Sequence, residues 1–300
     1  MLIGSGLDAS GLDASGLRCA VLGKPIAHSL SPVLHRAAYD ALGLDWSYDA
    51  IEVDEAGLAD FLGGLDESWR GLSLTMPLKR RLMDLLGPSD EVDRWARLAG
   101  AANTLVLGPS RIAANTDVPG AVAALRPVGP VRRAVVLGGG ATAGSVLLAL
   151  AELGCDSATV LARSPERAAD AVAAAGRHPA GMAVEVLPLR AGGPEPSRSG
   201  DASPARQVPD VLVSTIPASA QTADLVSSWK DVPAVFEVVY DPWPTPLAAD
   251  AIDSGQVLVS GLDLLVEQAA LQVALMTGAT EVPVAVMRKA GEQALAERRG

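Results

Sequence analysis

Aromatic residues make up only 3% of this sequence. That excludes a core built on large rings and leaves Ala, Val and Leu to fill it, as suits helices packed closely on a parallel sheet. Cysteine is nearly absent. Cys19 and Cys155 are the only two, each in an apolar stretch and without CxxC spacing. This excludes a disulfide framework and points to buried thiols in a reducing cytosol. The three histidines, His28, His35 and His178, lack metal-ligand spacing such as HExxH, so no metal is expected. Positive charge is in deficit: 24 Lys and Arg against 35 Asp and Glu give a formal charge of −11 and a pI near 4.7. Such a balance repels polyanions and argues against a nucleic-acid partner. No apolar run reaches the roughly 20 residues of a spanning helix, so no membrane partner is expected. Residues 1–17 carry no basic start followed by an apolar run. Their GLDASGLDASG repeat reads as a flexible leader, and the chain as cytoplasmic.

What is present is enough for two domains. The chain has 300 residues, 49% hydrophobic and 20% charged, a globular composition. A strand at 18–23 is followed by Ser31-Pro32, which reads as an N-cap with proline at the first helical position. Leu34, Ala37, Ala38, Ala41 and Leu42 then repeat with a helical period. Strands near 48–53 and 71–75 alternate with helices near 55–65 and 78–86. Residues 103–107 and 111–115 read as a hairpin. From about Asp117 the pattern becomes strand, Gly turn, helix, strand. Strands near 134–137, 158–162, 183–187, 210–214, 235–239 and 257–260 predict a parallel, doubly wound sheet. Residues 191–209, rich in Pro, Gly and Ser, predict a solvated surface loop. Two final helices, 262–278 and 282–299, lie beyond the last strand.

The expectation is therefore an α/β protein of two domains. Residues 18–117 with 262–300 form an N-terminal α/β substrate domain, to which the C-terminal helices return. Residues 118–261 form a Rossmann-type dinucleotide-binding domain. Within it, Gly138-Gly139-Gly140-Ala141-Thr142-Ala143 fits GxGxxA between a strand and a helix. Gly138 permits the tight turn, Gly140 lets a pyrophosphate approach the backbone, and Ala143 allows close helix–strand packing. The N–H groups from Ala141 onward are open to phosphate. The second strand ends Leu161-Ala162-Arg163-Ser164 with no acidic residue to hold a ribose 2′-hydroxyl. Arg163, Ser164 and Arg167 instead suit a 2′-phosphate, which predicts NADP over NAD.

Several short segments combine polar side chains with structural stops: Ser29-Leu30-Ser31-Pro32, Thr75-Met76-Pro77-Leu78-Lys79, Ala101-Ala102-Asn103-Thr104 and Asn115-Thr116-Asp117. Further on come Ser214-Thr215-Ile216-Pro217, the run from Tyr240 to Leu247 that begins Tyr240-Asp241-Pro242, and the run from Gly261 to Ala269. In this order, from about Cys19 to Gly278, they resemble the shikimate dehydrogenase family. The resemblance implies reversible reduction of 3-dehydroshikimate to shikimate by NADPH, on the route to aromatic amino acids. It implies Lys79 and Asp117 as the catalytic pair. It places Ser29, Ser31 and Tyr240 on the substrate carboxylate, and Thr75, Asn103 and Gln268 on the ring hydroxyls. Thr215 and Gly261 join the cofactor contacts. The partner is then a small molecule, and the protein a monomer or homodimer.

Each residue taken alone has a plainer reading. Lys79 would be a solvated helix residue, as Arg80 and Arg81 are. Ser31 and Asp117 would be N-caps, Asn103 a turn residue, Gln268 a surface residue, and Arg163 and Arg167 solvated charges. The pattern departs from the family at Ser73, where many members carry Asn, at Ala143-Gly144, where many carry a larger or basic residue, and at 191–209. Three other readings stay open: an NAD-dependent quinate/shikimate dehydrogenase, an aminoshikimate dehydrogenase, and a non-catalytic NADP-binding regulator.

Overall fold

The computed structural model describes residues 16–190 and 208–298. The expected leader up to residue 15, and residues 191–207 of the expected surface loop, lie outside the described residues. The chain divides into two compact units, one comprising Met1–Thr116 with Leu265–Gly300, the other Asp117–Leu264. Asp117 is the first residue of a helix.

The first unit holds a mixed six-stranded sheet. Its strands are β1 (Arg18–Gly23), β2 (Ser47–Glu52), β3 (Trp69–Leu74), β4 (Glu91–Val92), β5 (Thr104–Val106) and β6 (Ile112–Ala114), in the order β2-β1-β3-β5-β6-β4. β1 runs parallel to both β2 and β3, while β5 is antiparallel to β3 and β6. The helices are α1 (Ser31–Leu42), α2 (Leu58–Gly63), α3 (Leu78–Asp84) and α4 (Arg94–Ala99). The core gathers Leu22, Leu58, Leu72, Leu74, Leu78, Leu82 and Leu105. Burying each such leucine contributes about 1.5–3 kcal/mol, so α3 is held by Leu78 and Leu82, its two buried residues. Leu78→Ala would cost about 2–5 kcal/mol.

Ser31 does not cap α1. The helix begins at Ser31 itself, and the cap position falls to Leu30, with no side-chain cap bond. The hydroxyl two residues earlier does that work, because Ser29 Oγ accepts from the Ser31 N–H at 3.3 Å, as short Ser/Thr turns do. The helix stops at Gly43, whose φ of +69° ends it in the left-handed region. The short β4 and α4 were not foreseen. Asp93 starts α4 by accepting from Ala96 N at 2.6 Å.

The second unit holds β7 (Arg133–Leu137), β8 (Ser157–Ala162), β9 (Ala183–Pro188), β10 (Val211–Ser214), β11 (Ala234–Glu237) and β12 (Val257–Val259). Every neighbouring pair is parallel, in the order β12-β11-β10-β7-β8-β9. Chain direction reverses its spread between β7 and β10, which places the switch point of a doubly wound sheet there. The helices are α5 (Asp117–Leu125), α6 (Ala141–Glu152), α7 (Pro165–Gly176), α8 (Ala223–Ser227) and α9 (Pro246–Asp253). α10 (Gly261–Thr277) starts in this unit and ends in the first. α11 (Val284–Glu297) then packs against α1.

Candidate active site

In the first unit, backbone bonds draw the expected substrate residues together. Thr75 follows β3, and its N–H donates to Leu22 O at 2.9 Å. A Cβ on Gly23 would collide with the Thr75 methyl, so glycine there is what lets the Thr75 segment close on β1. Lys79 lies in the first turn of α3, half-buried, and its carbonyl accepts from Ala102 N at 2.9 Å. Asn103 O accepts from Leu74 N at 2.8 Å. Thr75, Lys79 and Asn103 are thus stitched into one local framework.

Asn103 is buried and fixed from both sides. Its Oδ1 accepts from Thr116 N (2.8 Å) and Thr104 Oγ1 (2.9 Å), and its Nδ2 donates to Thr116 Oγ1 (2.9 Å) and Gln268 Oε1 (3.2 Å). Gln268 is itself buried, so it is not a surface residue of α10. One helical turn on, Gln272 Nε2 donates to Thr104 Oγ1 (3.0 Å) and Asn103 O (3.2 Å), while its Oε1 accepts from Ser73 Oγ (2.9 Å). Ser73 accepts from Tyr48 OH at 2.6 Å. The Tyr48 ring stacks on His35 at 3.9 Å, and His35 Nδ1 bonds the Ser31 carbonyl at 2.9 Å. An unbroken line of packed polar groups therefore joins Ser31 to Gln268.

Burial sets the chemistry of this line. The His35 pKa is pushed down to about 4 by loss of hydration, which its bond to Ser31 O only partly offsets, so the ring is neutral at pH 7. The Tyr48 phenol is pushed up by the same cause. At neutral pH the line from Ser31 to Gln268 carries no charge. His35, Tyr48, Gln272, Thr104 and Thr116 were missed as contributors. Gln272 had a readable signal, since it lies four residues beyond Gln268 on the same helix face. His28 is exposed, and its carbonyl accepts from Arg298 at 2.9 Å.

In the second unit, Gly138 follows β7 at the switch point with φ +105°, and a Cβ there would strike Thr215 Oγ1. Thr215 Oγ1 donates to Leu137 O at 2.8 Å, tying the end of β10 to β7. Gly139, which the motif leaves free, is required for packing: its Cβ would come within 2.7 Å of Ala168 Cα and Arg167 O of α7. Gly140 opens onto empty space, and α6 begins beside it without a side-chain cap. A helix start with no side-chain cap, beside a space where no Cβ stands, fits a bound pyrophosphate. Ala143 is buried. Arg163 and Arg167 are exposed just beyond β8. Ser164 is the cap residue of α7 but makes no cap bond. It donates instead to Glu166, whose carboxyl is held below its usual value first by its own backbone N–H and then by that hydroxyl. Asp117 opens α5 and is buried, and Tyr240 is half-buried beyond β11. Gly261 opens α10 where the backbone of Val238 and Val239 leaves no room for a Cβ. Among the described residues no group of His, Cys, Asp or Glu is arranged to hold a metal ion, and no helix is long and apolar enough to cross a membrane.

A mixed α/β unit with a buried amide–hydroxyl line, followed by a doubly wound unit with a glycine turn at its switch point, defines a two-unit α/β protein with a dinucleotide-binding half. Residues 21–105 match the model of the shikimate dehydrogenase substrate binding domain, and residues 261–290 that of the shikimate 5′-dehydrogenase C-terminal domain. The NADP(+) shikimate dehydrogenase of Moorella thermoacetica is 36% identical over 293 residues, spanning 94% of both chains. The crystal structure of Mycobacterium tuberculosis shikimate dehydrogenase superposes with a TM-score of 0.80 at 40% identity, over 92% of this chain and 99% of that one. That of Thermus thermophilus shikimate 5-dehydrogenase, in complex with NADP(H) and shikimate, does so at 0.73 and 30% identity, over 93% and 100%. This chain belongs to the shikimate dehydrogenase family.

Proposed function

We propose that this protein catalyses the reversible, NADP-dependent reduction of 3-dehydroshikimate to shikimate in the cytoplasm, as a monomer or homodimer. The observation that carries the reading is the buried line of neutral hydrogen-bonding groups around Asn103 and Gln268. Such a lining suits a polyol, because its amide and hydroxyl groups both donate and accept and can exchange bonds among themselves for bonds to ring hydroxyls. The family's roles then fall on these residues. Ser29, Ser31 and Tyr240 hold the substrate carboxylate. Thr75, Asn103 and Gln268 hold the ring hydroxyls.

NADPH, when bound, supplies the hydride. Gly138, Gly140, Ala141 and Ala143 would form the turn that receives its pyrophosphate, and Thr215 and Gly261 would hold its second half. Arg163, Ser164 and Arg167 would hold the 2′-phosphate. Lys79 passes a proton to the carbonyl oxygen as it becomes a hydroxyl, and takes it back in the oxidative direction. The family's role for Asp117 is to accept a hydrogen bond from the same hydroxyl. A positioned acid–base group of this kind is worth about 10²–10⁴-fold in rate.

Steady-state kinetics of the purified protein with NADP and NAD against shikimate and quinate test the proposal. The expected result is the highest kcat/KM with NADP and shikimate. A preference for NAD with quinate would overturn the specificity, and no turnover of any pair would overturn the activity.

A further inference from the structure

Glu237 is the last residue of β11 and is fully buried, yet nothing in the proposed chemistry uses it. Its Oε2 accepts from Gln221 Nε2 at 2.7 Å and Thr245 Oγ1 at 2.9 Å, and its Oε1 from Val239 N at 3.0 Å. Ser214, its register partner on β10, donates as well. Among the described residues these partners are all neutral, and burial pushes the carboxyl up from its usual range. A buried carboxylate without a cation is costly, and an apolar residue of similar volume would hold a strand end as well or better.

What the carboxylate does hold is backbone at the open end of the sheet. Val239 and Thr245 bracket the excursion from β11 to α9, so one side chain pins both ends of it. Gln221, fixed by Glu237, accepts from Leu247 N at 3.0 Å and donates to Ser214 Oγ at 3.3 Å. That ties in the turn after β10, where Thr215 sits. The backbone of Val238 and Val239 in turn abuts Gly261. Three turns thus depend on a single carboxylate: those after β10, after β11 and before α10. All three lie on the β10-β11-β12 half of the sheet. In a doubly wound sheet the other half, β7-β8-β9 with Arg163, takes the adenosine end of a dinucleotide, and this half takes the second nucleotide.

We propose that Glu237 is a positioning residue for the nicotinamide half of NADP, locking Thr215, Val238-Val239 and Gly261 in the arrangement that receives it. The proposal rests on the NADP reading above and adds a residue to it. Glu237→Gln keeps the volume but sets an amide donor against Gln221 Nε2 or Val239 N–H. Binding is read by fluorescence titration with NADPH and, separately, with 2′,5′-ADP, which carries only the adenosine end. Circular dichroism confirms that the variant is folded.

The expected result is NADPH binding weakened at least tenfold with 2′,5′-ADP binding changed less than twofold. Thr245→Val, which removes one donor to Glu237 together with the α9 cap bond from Ala248 N, is expected to weaken NADPH at least threefold with the same selectivity, and it serves if Glu237→Gln does not fold. Equal losses for both ligands would make Glu237 a merely structural residue and overturn the proposal, as would unchanged NADPH binding. Failure of the unmodified protein to bind either ligand would remove the NADP reading itself, and the proposal with it.

Discussion

Replacing His35 by Phe should flatten the acid limb of this protein's stability. The folded ring is neutral because burial pushes its pKa down from 6.5 to about 4. In the unfolded chain it takes a proton below its ordinary pKa. Between pH 6.5 and 4 the unfolded state therefore binds more protons, and stability falls as pH falls. Each unit of separation is worth about 1.4 kcal/mol. The loss should then reach about 2 kcal/mol by pH 5 and about 3 kcal/mol by pH 4, a large share of the roughly 5–15 kcal/mol that holds a domain together. Glu237 and Asp93, both raised by burial, act with the opposite sign, but they do so equally in both proteins. Phenylalanine keeps the ring that stacks on Tyr48, and it removes a buried Nε2 that has no hydrogen-bond partner. Urea unfolding of both proteins at pH 7.5, 6 and 5 gives the comparison. The wild-type curve should fall relative to the variant by about 2 kcal/mol over that range. Parallel curves, or a His35 ring resonance that titrates near pH 6.5, would refute the argument.

Four other outcomes are expected. Lys79→Ala should lower kcat by about 10²–10⁴-fold while shikimate KM changes much less, and an unchanged kcat would remove its acid–base role. Arg163→Ala should raise KM for NADPH far more than for NADH, because only the former offers a 2′-phosphate to a guanidinium; equal effects would show that Arg163 does not discriminate. Gln272→Leu should cost about 1–3 kcal/mol or more in urea stability, since it strips partners from buried Ser73 and Thr104, and should raise shikimate KM through Asn103. Gly138→Ala should weaken NADPH binding about tenfold or more, given a φ of +105°, where a side chain costs about 1–3 kcal/mol.

The sequence by itself determined the alternation of strands and helices, the doubly wound second half and the glycine turn. These rest on local chemistry: hydrophobic period, Pro and Gly stops, and a short motif whose spacing fits one turn. What belonged to the tertiary structure alone was which polar groups are buried together. Ser73 and Gln272 are 199 residues apart and Asn103 and Gln268 are 165 apart, so no window of sequence contains either pair. Glu237 reads as the polar end of an apolar strand until the strand order sets it between β10 and β12. The period of a segment follows from its own side chains, whereas the burial of a charge depends on what distant chain comes to cover it.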